Sequence, residues 1–145
     1  MAYVSRQPVR FADIDRAGIV YYPRFFDFWH RALEDFFNED VGVAYHKLID
    51  DRRIGLPVVH VEADFRRPLG HGDMVAIELS VDRVGEKSVT IRYRMIRPAG
   101  DVAAEGTITH ACIDMDSFRA VRVPDDVRAA LARHPTVRDA QGTQA

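Results

Sequence analysis

Residues 11–37 read FADIDRAGIVYYPRFFDFWHRALEDFF, and their apolar spacing is the strongest indication of the fold. From Tyr22 onward, bulky apolar side chains recur at intervals of three and four residues, which is the spacing of one buried helix face. These side chains are Phe25, Phe26, Trp29, Leu33, Phe36 and Phe37. The pattern predicts an amphipathic helix whose apolar face packs against another layer of the protein.

Two carboxylates, Asp13 and Asp15, lie in the loop that leads into this helix. The first turn of a helix has backbone N–H groups without intrahelical partners, and its dipole favours a nearby anion. A carboxylate beside such donors can attack a carbonyl, or activate water against it, while the donors stabilise the oxyanion. The same residues also fit a plainer explanation, in which Asp13 or Asp15 only caps a turn.

Gly18 and Asp13 have expected structural roles under both explanations. Gly18 lets the loop adopt backbone angles that a residue with a Cβ resists, so that the Asp15 carboxylate can turn back towards the helix start. We expect Asp13 to order the loop by accepting hydrogen bonds from neighbouring N–H groups rather than to react.

The rest of the chain is predicted to be mostly strands. An initial strand over 3–11 precedes the helix, and Gly and Pro residues separate four later segments, 57–68, 73–84, 88–98 and 101–115. In the third of these, apolar residues alternate with Thr90, Arg92 and Arg94, as in a half-buried antiparallel strand. Residues 124–135 predict a short final helix. The expected fold is α+β, an antiparallel β-sheet wrapped around one long central helix.

The composition and net charge of the chain limit the classes of function that it can have. The chain has 145 residues, is 47% hydrophobic and carries a net charge of −2. This predicts one domain over 1–135 with a mobile tail over 136–145, and no nucleic-acid partner. No apolar run has the roughly 18 residues of a membrane span, and no signal peptide is evident. A single cysteine, Cys112, fits a reducing compartment, so we expect a cytoplasmic protein.

Cys112 also raises the question of a thiol nucleophile. His110 is two residues away in an alternating run, so both side chains are predicted on one strand face. A Cys–His pair needs adjacency and an accessible thiolate, whereas small buried cysteines are common in cores. We predict core packing for Cys112.

The segment from Phe11 to Tyr22 resembles the signature of the 4-hydroxybenzoyl-CoA thioesterase family of hot-dog-fold proteins, roughly aromatic-x-D-x-D-x-x-G-[IV]-[VIW]-[YW]-[YH]. The fixed positions are filled by Phe11, Asp13, Asp15, Gly18, Ile19, Val20, Tyr21 and Tyr22. Pro23 after the second aromatic is more similar to the 4-hydroxybenzoyl-CoA branch than to the short-chain thioesterases of the Tol–Pal region. The resemblance extends over most of the chain and implies a hot-dog fold.

The resemblance also implies a reaction, the hydrolysis of acyl-CoA thioesters. By this resemblance Asp15 is the catalytic carboxylate, either as a nucleophile through a mixed anhydride or as a general base on water. The backbone N–H of Tyr22 is implied to donate to the thioester carbonyl. Coenzyme A is then part of the substrate, and we expect no separate cofactor and no metal.

Candidate substrate contacts follow from the same resemblance. Gly18 in the loop is one candidate. His30 is another, because it occupies the helix position where aromatic-acyl relatives carry an aspartate that recognises a para-hydroxyl. Asp27, one turn earlier, is a possible substitute. His60 lies on a strand that lines the acyl pocket in relatives, although a packed strand histidine fits equally well.

Candidate coenzyme A contacts lie in the turn over 82–88, where relatives hold the phosphates with a basic cluster. Lys87 and Ser88 match that cluster, whereas Gly85 and Glu86 stand in place of two arginines. Further candidates, which fit ordinary surface charge equally well, are Arg66, Arg67, Arg119 and Arg122.

An exposed sheet edge invites pairing with another copy. Hot-dog proteins join two sheets edge to edge and form active sites at the interface, so the resemblance implies a homo-oligomer, a dimer or a tetramer of two dimers. Three functions remain open. The first is an aromatic, 4-hydroxybenzoyl-CoA-like acyl-CoA thioesterase. The second is a thioesterase for short- or medium-chain aliphatic acyl-CoA or acyl carrier protein. The third is a non-catalytic acyl-CoA-binding module.

Overall fold

A computed structural model describes residues 2–137 of the chain. Of the segment predicted to be mobile, all but Thr136 and Val137 lie outside these residues. Thr136 donates its backbone N–H to the carbonyl oxygen of Val81 at 3.0 Å. The described part of the final segment therefore runs beside a strand of the sheet.

The secondary structure follows the predicted order, with short elements added. In chain order the described elements are β1 (Tyr3–Pro8), a 3₁₀ turn (Phe11–Asp13), α1 (Arg24–Phe36), a π-helical turn (Phe37–Val41), α2 (Tyr45–Asp50), β2 (Ile54–Gly55), β3 (Val58–Phe65), β4 (Met74–Val84), β5 (Ser88–Ile96), β6 (Val102–Ala111), β7 (Ile113–Asp114) and α3 (Asp125–Leu131).

Five strands form one antiparallel sheet in the order β1-β4-β5-β6-β3, and β2 pairs separately with β7. Alternate residues of β4 and β5 are buried on one face, which we call the inner face. The predicted alternation in the β5 segment is therefore confirmed. Because β1 and β3 are the outer strands, each presents one edge without a strand partner in the described chain.

Helix α1 packs on the inner face and contacts strands from one edge to the other. The Trp29 indole stacks on the Tyr93 ring of β5, with centroids 5.1 Å apart. Near the C-terminal end of the helix, Phe36 packs against Tyr3 of β1 at 5.2 Å. Near its N-terminal end, Phe25 packs against Phe65 of β3 at 5.1 Å. This arrangement confirms the α+β prediction of an antiparallel sheet packed on one long helix.

Two polar side chains of β1 also fix the helix. Ser5 donates a hydrogen bond to the Asp35 carboxylate at 2.6 Å. Gln7 donates one to the carbonyl oxygen of Phe28 at 3.0 Å. Both β1 side chains are buried, so these bonds hold α1 in a fixed rotation against the sheet.

Several boundaries differ from the predictions for physical reasons. The first strand ends at Pro8, not at residue 11, because the Asp13 carboxylate takes the Arg10 N–H and closes a 3₁₀ turn. The helix begins at Arg24, and Phe28 is fully buried, whereas Phe26 is only half-buried. Elements α2 and β2 were not predicted, because two to six residues carry no periodic pattern. The segment predicted as one strand over 101–115 is divided into β6 and β7, and β7 pairs with β2 rather than with the large sheet. The predicted final helix is confirmed as α3.

None of the helices within residues 2–137 is long and apolar enough to cross a membrane.

The packing predicts an asymmetry between two neighbouring phenylalanines of α1. Phe28→Ala should lower the free energy of unfolding by about 3–5 kcal/mol, because it empties a fully enclosed site. Phe26→Ala should cost clearly less, because Phe26 is half-buried. Urea denaturation of the two variants beside the wild type measures both values, and equal losses would contradict the described helix face.

Candidate active site

The loop before α1 is a tight hairpin over 14–20. Ile14 pairs with Val20, and the Asp15 N–H donates to the carbonyl oxygen of Ile19 at 2.9 Å. Gly18 closes the turn by donating its N–H to the carbonyl oxygen of Asp15 at 3.0 Å, with a φ of +82°. A side chain would strain the backbone at that angle, so the expected conformational role of Gly18 is confirmed.

Asp13 holds the base of this hairpin. Its carboxylate is buried and accepts the Arg10 N–H at 2.9 Å. Its carbonyl oxygen accepts the Tyr21 N–H at 3.1 Å. The expected loop-ordering role of Asp13 is therefore confirmed.

Asp15 is exposed on the hairpin. One carboxylate oxygen, Oδ1, accepts the Ala17 N–H at 2.8 Å, as in a capped turn. The other oxygen receives no hydrogen bond from residues 2–137. The side chain lies in a shallow groove, the acidic groove, lined by Phe11, Ala12, Ile14, Asp15 and Arg16. Asp15 thus caps its own turn with one oxygen and presents the other to solvent.

The start of α1 leaves one backbone donor open. Arg24, Phe25 and Phe26 donate their N–H groups to the carbonyl oxygens of residues 21, 22 and 23, at 2.8 to 3.2 Å. The Tyr22 N–H has no acceptor within the described chain. Pro23 has no N–H and takes a helical φ of −65°, so it sets the helix direction directly after Tyr22.

A second groove, the aromatic groove, lies beside Tyr22. The rings of Tyr22 and Phe65 are 6.3 Å apart, edge to face, and Phe25 closes the floor. Its volume is about 410 Å³, within the range of about 300–1,000 Å³ that is usual for small-molecule sites. Its lining consists of Ile19, Val20, Tyr22, Phe25, Phe65, Arg66, Arg67 and Pro68.

The two grooves belong to the two arms of one hairpin. The first arm, with Ile14 and Asp15, lines the acidic groove, and the second arm, with Ile19 and Val20, lines the aromatic groove. In a single protomer Asp15 and Tyr22 therefore flank neighbouring grooves rather than share one pocket.

Two residues that line the aromatic groove, Phe65 and Pro68, were not predicted from the sequence. Nothing in the pattern of β3 shows that its edge is uncovered.

His30 and Asp27 lie on α1 away from both grooves. The side chain of His30 is 51% exposed, and its Nε2 lies 3.2 Å from a Glu34 carboxylate oxygen. The His30 ring also packs edge-on against Tyr45 of α2 at 5.6 Å. Asp27 is exposed and pairs with Arg24 at 3.2 Å. Within one protomer, neither side chain lines a groove beside Asp15.

His60 lies on the outer face of β3. It stands opposite Thr109, next to the inward-facing His110, and its Nε2 is 3.1 Å from the Glu62 carboxylate. Its side chain is 60% exposed. The sheet therefore separates His60 from the inner face on which α1 packs.

Lys87 lies in the β4–β5 turn and Ser88 begins β5, and the Gly85 N–H donates to the carbonyl oxygen of Ser88 at 2.8 Å. Arg128 of α3 supports this turn by donating to the carbonyl oxygen of Gly85 at 2.8 Å. Ser88 pairs with the end of β6, beside the start of β3. The aromatic groove adjoins the other end of β3, and an eight-residue strand is about 26 Å long. Lys87 and Asp15 therefore lie at opposite ends of the protomer.

His110 and Cys112 are both buried on the inner side. The His110 Nδ1–H donates to the carbonyl oxygen of Leu56 at 2.9 Å, and its Nε2 has no partner among residues 2–137. Burial lowers the pKa of His110 and raises the pKa of the Cys112 thiol, so both side chains are neutral. The predicted core role of Cys112 is confirmed.

No group of three or more His, Cys, Asp or Glu side chains in the described residues is placed to hold a metal ion.

Comparison with known proteins places the chain in a family. The family model described as the thioesterase-like superfamily matches residues 9–131. A 1,4-dihydroxy-2-naphthoyl-CoA hydrolase from Nostoc punctiforme is 30% identical over 99% of this chain and 95% of its own.

Solved structures agree with this assignment. A gentisyl-coenzyme A thioesterase is 32% identical, covers 89% of this chain and 99% of its own, and superposes with a TM-score of 0.80. A thioesterase superfamily protein from Jannaschia sp. CCS1 is 26% identical over 94% of both chains, with a TM-score of 0.86. The chain therefore belongs to the thioesterase-like superfamily, and it is a thioester hydrolase with the hot-dog fold.

Proposed function

We propose that the protein hydrolyses acyl-CoA thioesters whose acyl group is a hydroxylated aromatic ring. The observation that carries the proposal is the open Tyr22 N–H at the start of α1, beside a hairpin that exposes one Asp15 oxygen. The acyl class is supported by two relatives, named for a dihydroxynaphthoyl-CoA and a gentisyl-CoA substrate. The family resemblance to 4-hydroxybenzoyl-CoA thioesterases points to the same chemistry.

In the proposed reaction the thioester carbonyl oxygen accepts the Tyr22 N–H. The helix dipole adds positive potential where the oxyanion forms. One such donor contributes about 2.7–4 kcal/mol to the transition state. No bond within residues 2–137 has to break for the carbonyl to bind, because this N–H is unpaired there.

Asp15 is the proposed reacting carboxylate, through its unpaired oxygen. As a general base it removes a proton from water, whose oxygen attacks the carbonyl carbon. As a nucleophile it attacks the same carbon and forms an anhydride that water then cleaves. In both cases the carbon–sulfur bond breaks and coenzyme A leaves as a thiolate, which takes up the proton. Neither route needs a separate cofactor.

The site is proposed to be completed by a second copy of the chain. Strand β3 has an open edge and exposed apolar residues, among them Val59 (62%), Val61 (41%) and Phe65 (46%). Such an edge invites pairing. A two-fold axis through paired β3 edges sets the start of one strand against the end of the other. The β4–β5 turn of the partner subunit then approaches the Asp15 end, where Lys87 and Ser88 are proposed to contact coenzyme A.

The remaining proposed contacts follow from the same dimer. His30 on the exposed side of α1 is proposed to face the acyl group, with Gly18 shaping the loop. His60 lies on the outer face of β3, across the sheet from the helix layer, so the sequence-based assignment of His60 to the acyl pocket is not carried into this proposal. The inner side of β3 is uncovered in one protomer, so a partner helix has room there. Two such dimers are proposed to form a tetramer.

Steady-state thiol release over a panel of thioesters should identify the acyl group. We expect the highest kcat/KM on 1,4-dihydroxy-2-naphthoyl-, gentisyl- or 4-hydroxybenzoyl-CoA, and lower values on benzoyl-CoA. Saturation on butyryl- or hexanoyl-CoA without turnover of aromatic esters would replace the proposal with the aliphatic thioesterase. Tight acyl-CoA binding without turnover of any ester would favour the non-catalytic module.

Replacing the proposed reacting carboxylate by its amide tests its role. Asp15→Asn should lower kcat by a factor of about 10²–10⁴, because the amide is neither a base nor a nucleophile. Asp50→Asn, an equally conservative change at an exposed site at the end of α2, should leave kcat unchanged. Full activity of a well-folded Asp15→Asn protein would exclude Asp15 from the reaction.

The proposed interface is tested by placing a charge on the β3 edge. Val61→Glu should shift the protein to a monomer in sedimentation velocity and lower activity with it, because the carboxylate has no partner across the interface. Val4→Glu is the matched control on the opposite edge strand, where Val4 is 37% exposed. A fully active Val61→Glu monomer would show that one protomer suffices.

A further inference from the structure

The aromatic groove ends at two consecutive arginines that directly follow β3. The backbone N–H groups of Arg66 and Arg67 both donate to the carbonyl oxygen of Ala103, at 2.7 and 3.0 Å. Two residues thus oppose one, as in a β-bulge, which ends the ladder and redirects the chain. Both side chains line the groove and are at least half exposed, at 50% and 62%.

Of the two arginines, Arg67 has the weaker contacts with carboxylates. Its Nη1 donates to the carbonyl oxygen of Arg66 at 3.2 Å. Its carboxylate neighbour, Asp101, lies 3.7 Å from Nε, which is beyond a hydrogen bond, and is closer to Arg97 at 3.3 Å. Arg66 donates to Glu105 at 3.1 Å. A guanidinium has five N–H donors, so most of those on Arg67 are available to a ligand.

Tyr22, whose backbone N–H is open, lines the same groove as these arginines, and the apolar side chains of Phe65 and Pro68 line it as well. A ligand that carries a carbonyl, then an uncharged chain, then an anion therefore matches the donor, the apolar surface and the cations of this groove. An acyl-CoA has this order, because its pantetheine chain separates the thioester from the pyrophosphate. A guanidinium fork matches two phosphate oxygens at once.

We propose that Arg66 and Arg67 bind the pyrophosphate of coenzyme A, with the pantetheine chain lying along the aromatic groove of the same protomer. This inference rests on the proposed thioesterase function and adds the phosphate site. The β4–β5 turn is assigned the secondary phosphate contact, because it lacks two consecutive arginines and offers Lys87 in their place. Lys87 then makes a secondary contact from the partner subunit.

Calorimetric titration with coenzyme A alone tests the phosphate site without any turnover. We expect R67Q to weaken binding several-fold, and R66Q/R67Q to weaken it by about tenfold or more, because charge-assisted bonds to phosphate are lost. R6Q removes an exposed arginine of β1 away from the groove and should bind as the wild type does. Unchanged binding in R66Q/R67Q, or a larger loss with Lys87→Gln than with R66Q/R67Q, would overturn the inference.

Kinetics with two esters of one acyl group identify the part of the substrate that the arginines contact. R66Q/R67Q should raise KM for the acyl-CoA and leave KM unchanged for the acyl-N-acetylcysteamine thioester, which lacks the phosphates. An equal rise for both esters would overturn the inference, because the groove would then hold the acyl ring. Coenzyme A binding through Arg67 without hydrolysis of any ester would support the phosphate site while refuting the proposed function.

Discussion

The packing of α1 across the inner face of the sheet is the constraint on which the other features depend. Aromatic contacts to β1, β5 and β3 hold the helix along its length, and two hydrogen bonds from β1 fix its rotation. Because the helix cannot slide or turn, its first residues stay at one end of β3. The open Tyr22 N–H is therefore held in place by the core, whereas the Asp15 hairpin is held by the bonds of its own loop through Asp13 and Gly18.

The same packing leaves the protomer incomplete. Strand β3 is an outer strand of the five-stranded sheet and keeps an open edge, with exposed valines and Phe65 at its end. An exposed apolar strand edge is unfavourable in water, so we expect a binding partner to cover this surface. The two proposed binding partners of this surface are a second copy of the chain and the acyl-CoA substrate.

The sequence predicts the elements whose apolar periodicity extends over many residues. It does not predict features that depend on the hydrogen bonding of a single backbone group. The thirteen residues of α1 and the alternation in β5 carry periodicities that are visible without a structure. The six residues of α2 do not. The conformation of Gly18 follows from its chemistry, whereas the unpaired Tyr22 N–H depends on which carbonyls α1 uses. From the sequence, Arg66 and Arg67 fit a coenzyme A contact and ordinary surface charge equally well, because the sequence does not show the groove beside them.

The most direct test of the central claim is the removal of one backbone donor. Incorporating the α-hydroxy analogue of tyrosine at position 22 replaces the N–H with an ester oxygen and keeps the side chain. We predict a loss of about 10²–10³-fold in kcat, as for a lost oxyanion donor. The absent N–H itself has no partner among residues 2–137, so the thermal stability should fall only by the weakening of the Tyr21 carbonyl that accepts the Arg24 N–H. An unchanged kcat in the ester-containing protein would contradict the proposal that the start of α1 binds the thioester carbonyl.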